Sequence, residues 1–130
     1  MAMIWYVALG SALGGAARYA VGGIVQRAFV TPFPTGTLAV NVSGSLILGA
    51  VMWYAVAAPD VSPELRAFLA IGICGGYTTF STFSYETARL LEHGEWLRAG
   101  AYVGLSVFLS LGAIFVGFAV ARQLFAFRAH

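Results

Sequence analysis

The segment Gly72-Ile-Cys-Gly-Gly-Tyr-Thr-Thr-Phe-Ser-Thr-Phe-Ser-Tyr-Glu86 decides how the chain folds. Its surroundings are apolar, yet it carries adjacent glycines, Gly75 and Gly76, and five hydroxyl side chains in the seven positions from Thr78 to Ser84. A lipid-facing helix gains nothing from that composition. Backbone groups inside a bilayer must find partners, and an interruption is tolerated only where protein or a cavity supplies them. The reading is a membrane helix broken at its middle, at Gly75-Gly76, with hydroxyls gathered to serve the break.

The rest of the chain agrees. Of its 130 residues, 60% are apolar and 9% are charged. Soluble domains run at about 45–50% apolar and about 25% charged. A chain of this length cannot bury such an excess, so it reads as one integral membrane domain, residues 1–130, all-α in class. The basic residues are all arginines, and the formal charge of +2 is too small and too scattered for a nucleic-acid surface. Cys74 is the sole cysteine, which rules out an intrachain disulfide and a CxxC site. His93 and His130 sit in a loop and at a terminus, with no metal-ligand spacing and no Ser/His/Asp grouping around them. The chain does not read as an enzyme.

A span needs about 20 mostly apolar residues. Four such segments can be drawn, at about 3–25, 36–56, 63–91 and 96–120, the third containing the break. The first lacks a basic start, so it is expected to be a retained helix and not a cleaved leader. All four prolines fall in the intervening loops or at a helix start. Ser62-Pro63-Glu64 has the form of an N-cap, a first-position proline and a first-turn acid. Gly10-xxx-Gly14 and Gly100-xxx-Gly104, with Gly44, Gly49, Gly112 and Gly117, predict close helix packing.

Orientation is undetermined by charge. With the N-terminus inside, Arg66, Arg122 and Arg128 lie inside and Arg27, Arg89 and Arg98 outside, three against three. Such a chain can insert both ways, and opposed copies can pair about a two-fold axis in the membrane plane. An antiparallel, dual-topology homodimer is the expectation.

Neutral hydrogen-bonding groups recur at helical spacing. Thr37, Asn41 and Ser45 share a face of the second span, Tyr102, Ser106 and Ser110 one of the fourth, and Thr79, Thr82 and Glu86 one of the third beyond the break. These stripes serve either as glue between helices or as the lining of a pathway. For Asn41 both roles stay open. Phe80 and Phe83 share a face among these hydroxyls, either as packing or as ring edges turned toward a small anion. Arg18 and Glu86 are charged residues within spans, either functional or snorkelling to an interface. Carbonyls freed at a break bind cations, while the resuming helix N-terminus favours anions. A plain glycine kink is the alternative.

The sequence closely resembles the small dual-topology fluoride channels, the Fluc or CrcB family. The resemblance rests on Gly10-Ser-Ala-Leu-Gly14 with Arg18-Tyr19, on Pro34-Thr-Gly-Thr-Leu-Ala-Val-Asn41-Val-Ser-Gly44, and on Gly75-Gly-Tyr-Thr-Thr-Phe-Ser-Thr-Phe83 followed by Glu86. It implies passive, selective fluoride efflux across the cell (inner or plasma) membrane, relieving cytoplasmic fluoride toxicity. It implies an antiparallel homodimer with two pores and a structural Na⁺ at the dimer centre, held by backbone carbonyls at Gly75 and Thr78. It assigns the pore asparagine to Asn41 and the paired aromatics to Phe80 and Phe83. The polar lining it implies is Thr37, Ser81, Thr82, Tyr102, Ser106 and Ser110, with Glu86 nearby and Arg18 as the first-span arginine. Ser81 comes from the motif alone. The competing readings are a small dual-topology multidrug or cation exporter, which needs a membrane-embedded acid that the first span lacks, and a non-transporting assembly subunit.

Overall fold

The computed structural model describes residues 2–128. They form helices joined by short loops, and no strand occurs among the described residues. Helix α1 spans Ala2–Ala28 and α2 spans Thr35–Ala57. Helix α3, residues 63–77, opens with an α-helical turn at Pro63–Arg66, widens to π-helical geometry over Ala67–Cys74 and closes with Gly75–Tyr77. Helix α4 spans Phe80–Glu92, and α5 spans Trp96–Arg128, eight residues beyond the expected end at 120. Nothing in the sequence of 121–128 stops a helix, since it contains neither Gly nor Pro.

The local signals explain the ends. Ser62 Oγ accepts the Leu65 N–H at 3.1 Å, with Pro63 at the first helical position and Glu64 in the first turn. Gly94, with φ +72°, turns the chain from α4 toward α5 in a conformation that costs a glycine little. Pro34 gives α2 no side-chain cap. Gln26 at the end of α1 compensates: its Oε1 accepts from Gly36 N–H at 3.1 Å, and its Nε2 donates to Phe33 O at 3.1 Å and Thr31 O at 3.3 Å.

Helix α1 packs along α3, α2 packs along α5, and α4 leaves α3 to lie against α5. The α1–α3 seam is backbone against backbone. A Cβ on Gly10 would come within 2.5 Å of Phe68 O, one on Gly76 within 2.7 Å of Ser11 O, and one on Gly14 would overlap Ile73 O. Side chains cannot enter there, so the close approach requires glycine. Gly49 and Gly117 make a similar seam between α2 and α5 against Ile114 O and Leu46 O. The Gly100-xxx-Gly104 pattern behaves differently: a Cβ added at either position would meet no atom of another helix within 4 Å. It makes no close approach within the described chain.

The core is small, with Tyr102 and Val40 the largest fully buried side chains. Large apolar side chains instead cover the outside, as with Tyr19, Leu97 and Phe108. Among the described residues two helices, Thr35–Ala57 and Trp96–Arg128, are by length and composition apolar enough to cross a membrane, and only 22% and 11% of their most apolar stretches are buried. Core helices of a soluble protein would be mostly covered. These are turned outward, toward an apolar solvent.

Candidate functional site: two clefts meeting at Thr79

The chain leaves helical geometry at two residues. Thr78 (φ −87°, ψ 157°) and Thr79 (φ −150°, ψ 118°) are extended, and helix resumes at Phe80. The position differs from the sequence expectation. Gly75 and Gly76 are still helical, and the interruption falls three residues later. The reason is the hydrogen bonding of Thr79 and not glycine flexibility. In a continuing helix the Thr79 N–H would donate to Gly75 O. Here it donates to Asn41 Oδ1 at 2.8 Å, and Asn41 Nδ2 donates back to Thr79 O at 3.1 Å. One carboxamide thus satisfies both backbone groups of the extended residue.

The next step repeats the substitution. The Thr82 N–H would reach Thr78 O in a helix, but it donates to Thr79 Oγ1 at 3.2 Å, an N-cap for α4. Thr79 Oγ1 in turn donates to Thr82 Oγ1 at 3.0 Å. Gly75 O and Thr78 O therefore lose their helical donors. Of the two carbonyls between them in sequence, Gly76 O takes the Arg18 Nε–H at 3.1 Å. Arg18 thus reaches from α1 to the last turn of α3.

Clefts open on both sides of this junction. One, of about 450 Å³, is lined by Arg18, Thr37, Val40, Thr79, Thr82 and Glu86 among others. The other, of about 280 Å³, is lined by Asn41, Ser45, Thr79, Phe80, Phe83, Ser106 and Ser110 among others. Thr79 lines both. Ser106 Oγ is buried and has no hydrogen-bond partner among the described residues. A buried hydroxyl of that kind is a costly group to leave unpaired, and it sits in the wall of a cleft.

Glu86 holds the far end of the first cleft. Thr37 Oγ1 donates to its Oε1 at 2.6 Å, and Tyr102 Oη donates to its Oε2 at 3.2 Å. Tyr102 is fully buried among Leu90, Ala99, Phe33, Leu38 and Phe83. It lines neither cleft and acts through the Glu86 carboxylate. Phe80 and Phe83 touch, with ring centroids 5.6 Å apart and planes at 48°, and Phe83 continues onto Tyr102 at 5.2 Å. Phe80 is 78% exposed at the cleft edge, while Phe83 is anchored in the core. Ser81 is exposed, lines neither cleft, and lies 3.4 Å from Thr79 Oγ1.

The structure thus gathers Thr37, Asn41, Thr82, Glu86 and Arg18 with Phe80, Phe83, Ser106 and Ser110 around one junction, and leaves Tyr102 and Ser81 off the cleft walls. Sequence reasoning put Thr79 in a stripe without giving it the central place. It missed Gln26, and it missed Ser43, whose hydroxyl meets Tyr77 Oη at 2.8 Å and ties α2 to the end of α3. Neither residue belongs to a periodic polar stripe, so periodicity held no signal for them.

Chemically, the clefts present hydroxyls, an amide and two aromatic rings, with one arginine and one acid among the residues lining the first. Such neutral donors can replace part of an anion's water shell without trapping it. Among the described residues no cluster of His, Cys, Asp or Glu suits a metal ion.

The outward apolar helices and the clefts between them, with hydroxyl and amide side chains in their walls, define a small all-helical membrane protein. The chain belongs to the CrcB-like family: the model described as "CrcB-like protein, Camphor Resistance (CrcB)" matches residues 5–118. A protein of Hyphomonas neptunium named "Fluoride-specific ion channel FluC" is 47% identical over 92% of this chain and 95% of its own. Proteins of the same name from Geobacter sp. strain M21 and Flavobacterium psychrophilum are 47% and 42% identical, each over 95% of this chain and 100% of their own length.

Proposed function

We propose that this protein is a fluoride-selective ion channel, not an enzyme, and that it lets fluoride leave the cell passively and so limits fluoride toxicity. The observation that carries this reading is the near full-length likeness to relatives bearing that name, at 47% identity. The site supports it. Fluoride is small and strongly hydrated, and a row of weak neutral donors suits its passage. Ser106 Oγ, Asn41 and the threonines at 79 and 82 supply such a row along the two clefts. The exporter alternative is not favoured, since α1 carries Arg18 and no acid.

In this reading the chain crosses the inner or plasma membrane four times, and α3 and α4 form one interrupted span. Two copies in opposite orientation make an antiparallel homodimer with two pathways. The even arginine count on the two sides supports the dual topology. A structural Na⁺ at the dimer centre would be held by the carbonyls of Gly75 and Thr78. The redirected N–H groups of Thr79 and Thr82 support this, because they release those two oxygens for a hard cation. Such an ion supplies positive charge that ties freed carbonyls together.

The test is efflux from proteoliposomes, followed with a fluoride electrode beside a chloride control. Fast, passive fluoride loss without chloride loss is expected. Equal loss of both ions would defeat the selectivity claim, and dependence on a proton gradient would point to an exporter.

A further inference from the structure

At the end of the molecule remote from Glu86, a third cleft of about 340 Å³ opens between the last turns of α2, the start of α3 and the last turns of α5. That volume falls within the range of small-molecule sites, about 300–1,000 Å³. Its walls are apolar, including Val51, Ala55, Leu65, Leu69, Leu124 and Phe125. The Phe125 ring is fixed between Trp53 and Tyr54, at centroid distances of 6.0 and 6.3 Å. The α5 wall is one stripe, Ala121, Leu124, Phe125 and Arg128, and its last member is an exposed arginine at the cleft. A second guanidinium stands at the rim, where Arg66 Nη2 donates to Ala55 O at 3.3 Å. Arg122 is exposed on the neighbouring turn.

The two ends of the molecule differ in how their arginines are paired. At the other end two of the three arginines are paired: Arg89 meets Glu92 and Arg98 meets Glu95, each at 3.0 Å, while Arg27 forms no ion pair among the described residues. Among the described residues no ion pair forms to Arg66, Arg122 or Arg128, although Asp60 and Glu64 lie at the same end. An apolar slot flanked by two guanidinium groups that form no ion pair among the described residues matches one chemistry. The slot takes an acyl chain, and the arginines take a phosphate. A zwitterionic headgroup adds an ammonium that the arginines repel. Self-docking of this face about a two-fold axis would set arginine against arginine.

We propose that this cleft binds an anionic phospholipid, with part of an acyl chain against Leu69 and Phe125 and the phosphate between Arg66 and Arg128. The test is native mass spectrometry of the full-length protein released from mixed micelles of phosphatidylglycerol and phosphatidylcholine in equal amounts. Preferential retention of phosphatidylglycerol is expected. The double variant R66Q/R128Q is expected to lower that preference on the order of tenfold. A121W, which fills the slot and keeps the charges, is expected to lower retention too. Fluoride efflux checks that both variants are folded, and R122Q, outside the lining, is expected to keep the preference. Equal retention of both lipids by the unaltered protein would overturn the proposal. So would a preference that survives in both R66Q/R128Q and A121W, or lipid that is displaced whenever two copies associate.

Discussion

Asn41 and Thr79 are joined by a reciprocal pair of hydrogen bonds: the Thr79 N–H donates to Asn41 Oδ1 at 2.8 Å, and Asn41 Nδ2 donates to Thr79 O at 3.1 Å. The side chain of one helix thereby replaces the helical bonds of another. Asn41 is glue in this relationship, and the same residue lines the cleft that holds Ser106 and Phe83. The tie between helices is one of the two roles left open by the sequence, and a place in the cleft wall is what the proposed pathway role requires.

The pair predicts a difference between two substitutions. Asn41→Asp keeps an acceptor for the Thr79 N–H but loses the donor to Thr79 O and sets a negative charge beside the cleft. Asn41→Leu leaves both Thr79 groups unpaired, at about 1–3 kcal/mol for each buried group. Asn41→Asp is expected to fold and to pass fluoride poorly. Asn41→Leu is expected to lose both thermal stability and flux. Unchanged electrode-detected efflux in Asn41→Asp would remove Asn41 from the pathway.

The Glu86 end makes a second prediction. Tyr102→Phe deletes the 3.2 Å bond to Glu86 Oε2 and keeps the buried ring, while Thr37→Val deletes the 2.6 Å bond to Oε1. Each removes a bond to a charged group, worth about 1.5–3 kcal/mol. Because both act on one carboxylate, their effects on thermal stability are expected to be non-additive. A double variant whose loss equals the sum of the single losses would show that the two hydroxyls do not share Glu86.

The glycine seams separate two kinds of small residue. Gly76→Ala would put a Cβ 2.7 Å from Ser11 O, backbone that cannot swing away, whereas Gly104→Ala meets nothing within 4 Å. Gly76→Ala is expected to reduce the yield of folded protein sharply. Gly104→Ala is expected to shift the monomer's stability by no more than about 0.5 kcal/mol. Thermal melts in detergent decide it, and a neutral Gly76→Ala would mean that the α1–α3 seam is looser than its distances.

The all-helical class was legible because apolar excess and proline placement both act over whole segments. The polar stripes were legible because helical spacing brings Thr37 with Asn41, and Thr82 with Glu86, to common faces. The place of the interruption was not. Gly75 and Gly76 permit a break, but the chain breaks where Asn41, 38 residues earlier, supplies partners for Thr79. That is a tertiary event without a local mark. Tyr102 illustrates the same limit: its spacing matches Ser106 and Ser110, yet its bulk sends it into the core against Phe83.

The last prediction concerns the carbonyls of Gly75 and Thr78. With Thr79 N–H and Thr82 N–H directed elsewhere, these oxygens lack their helical donors, and in an apolar medium such groups need another partner. If Na⁺ is that partner, exchanging all Na⁺ for a large organic cation is expected to abolish fluoride efflux and to lower the melting temperature, and returning Na⁺ is expected to restore both. Arg18 adds a control. Its bond to Gly76 O sets a fixed positive charge one residue from Gly75. Arg18→Gln removes that charge and is expected to lower the Na⁺ concentration needed for half-maximal activity, because a neighbouring cation no longer opposes the ion. Full efflux in the absence of Na⁺ would dismiss the cation, and an unchanged Na⁺ requirement in Arg18→Gln would separate Arg18 from the carbonyl site.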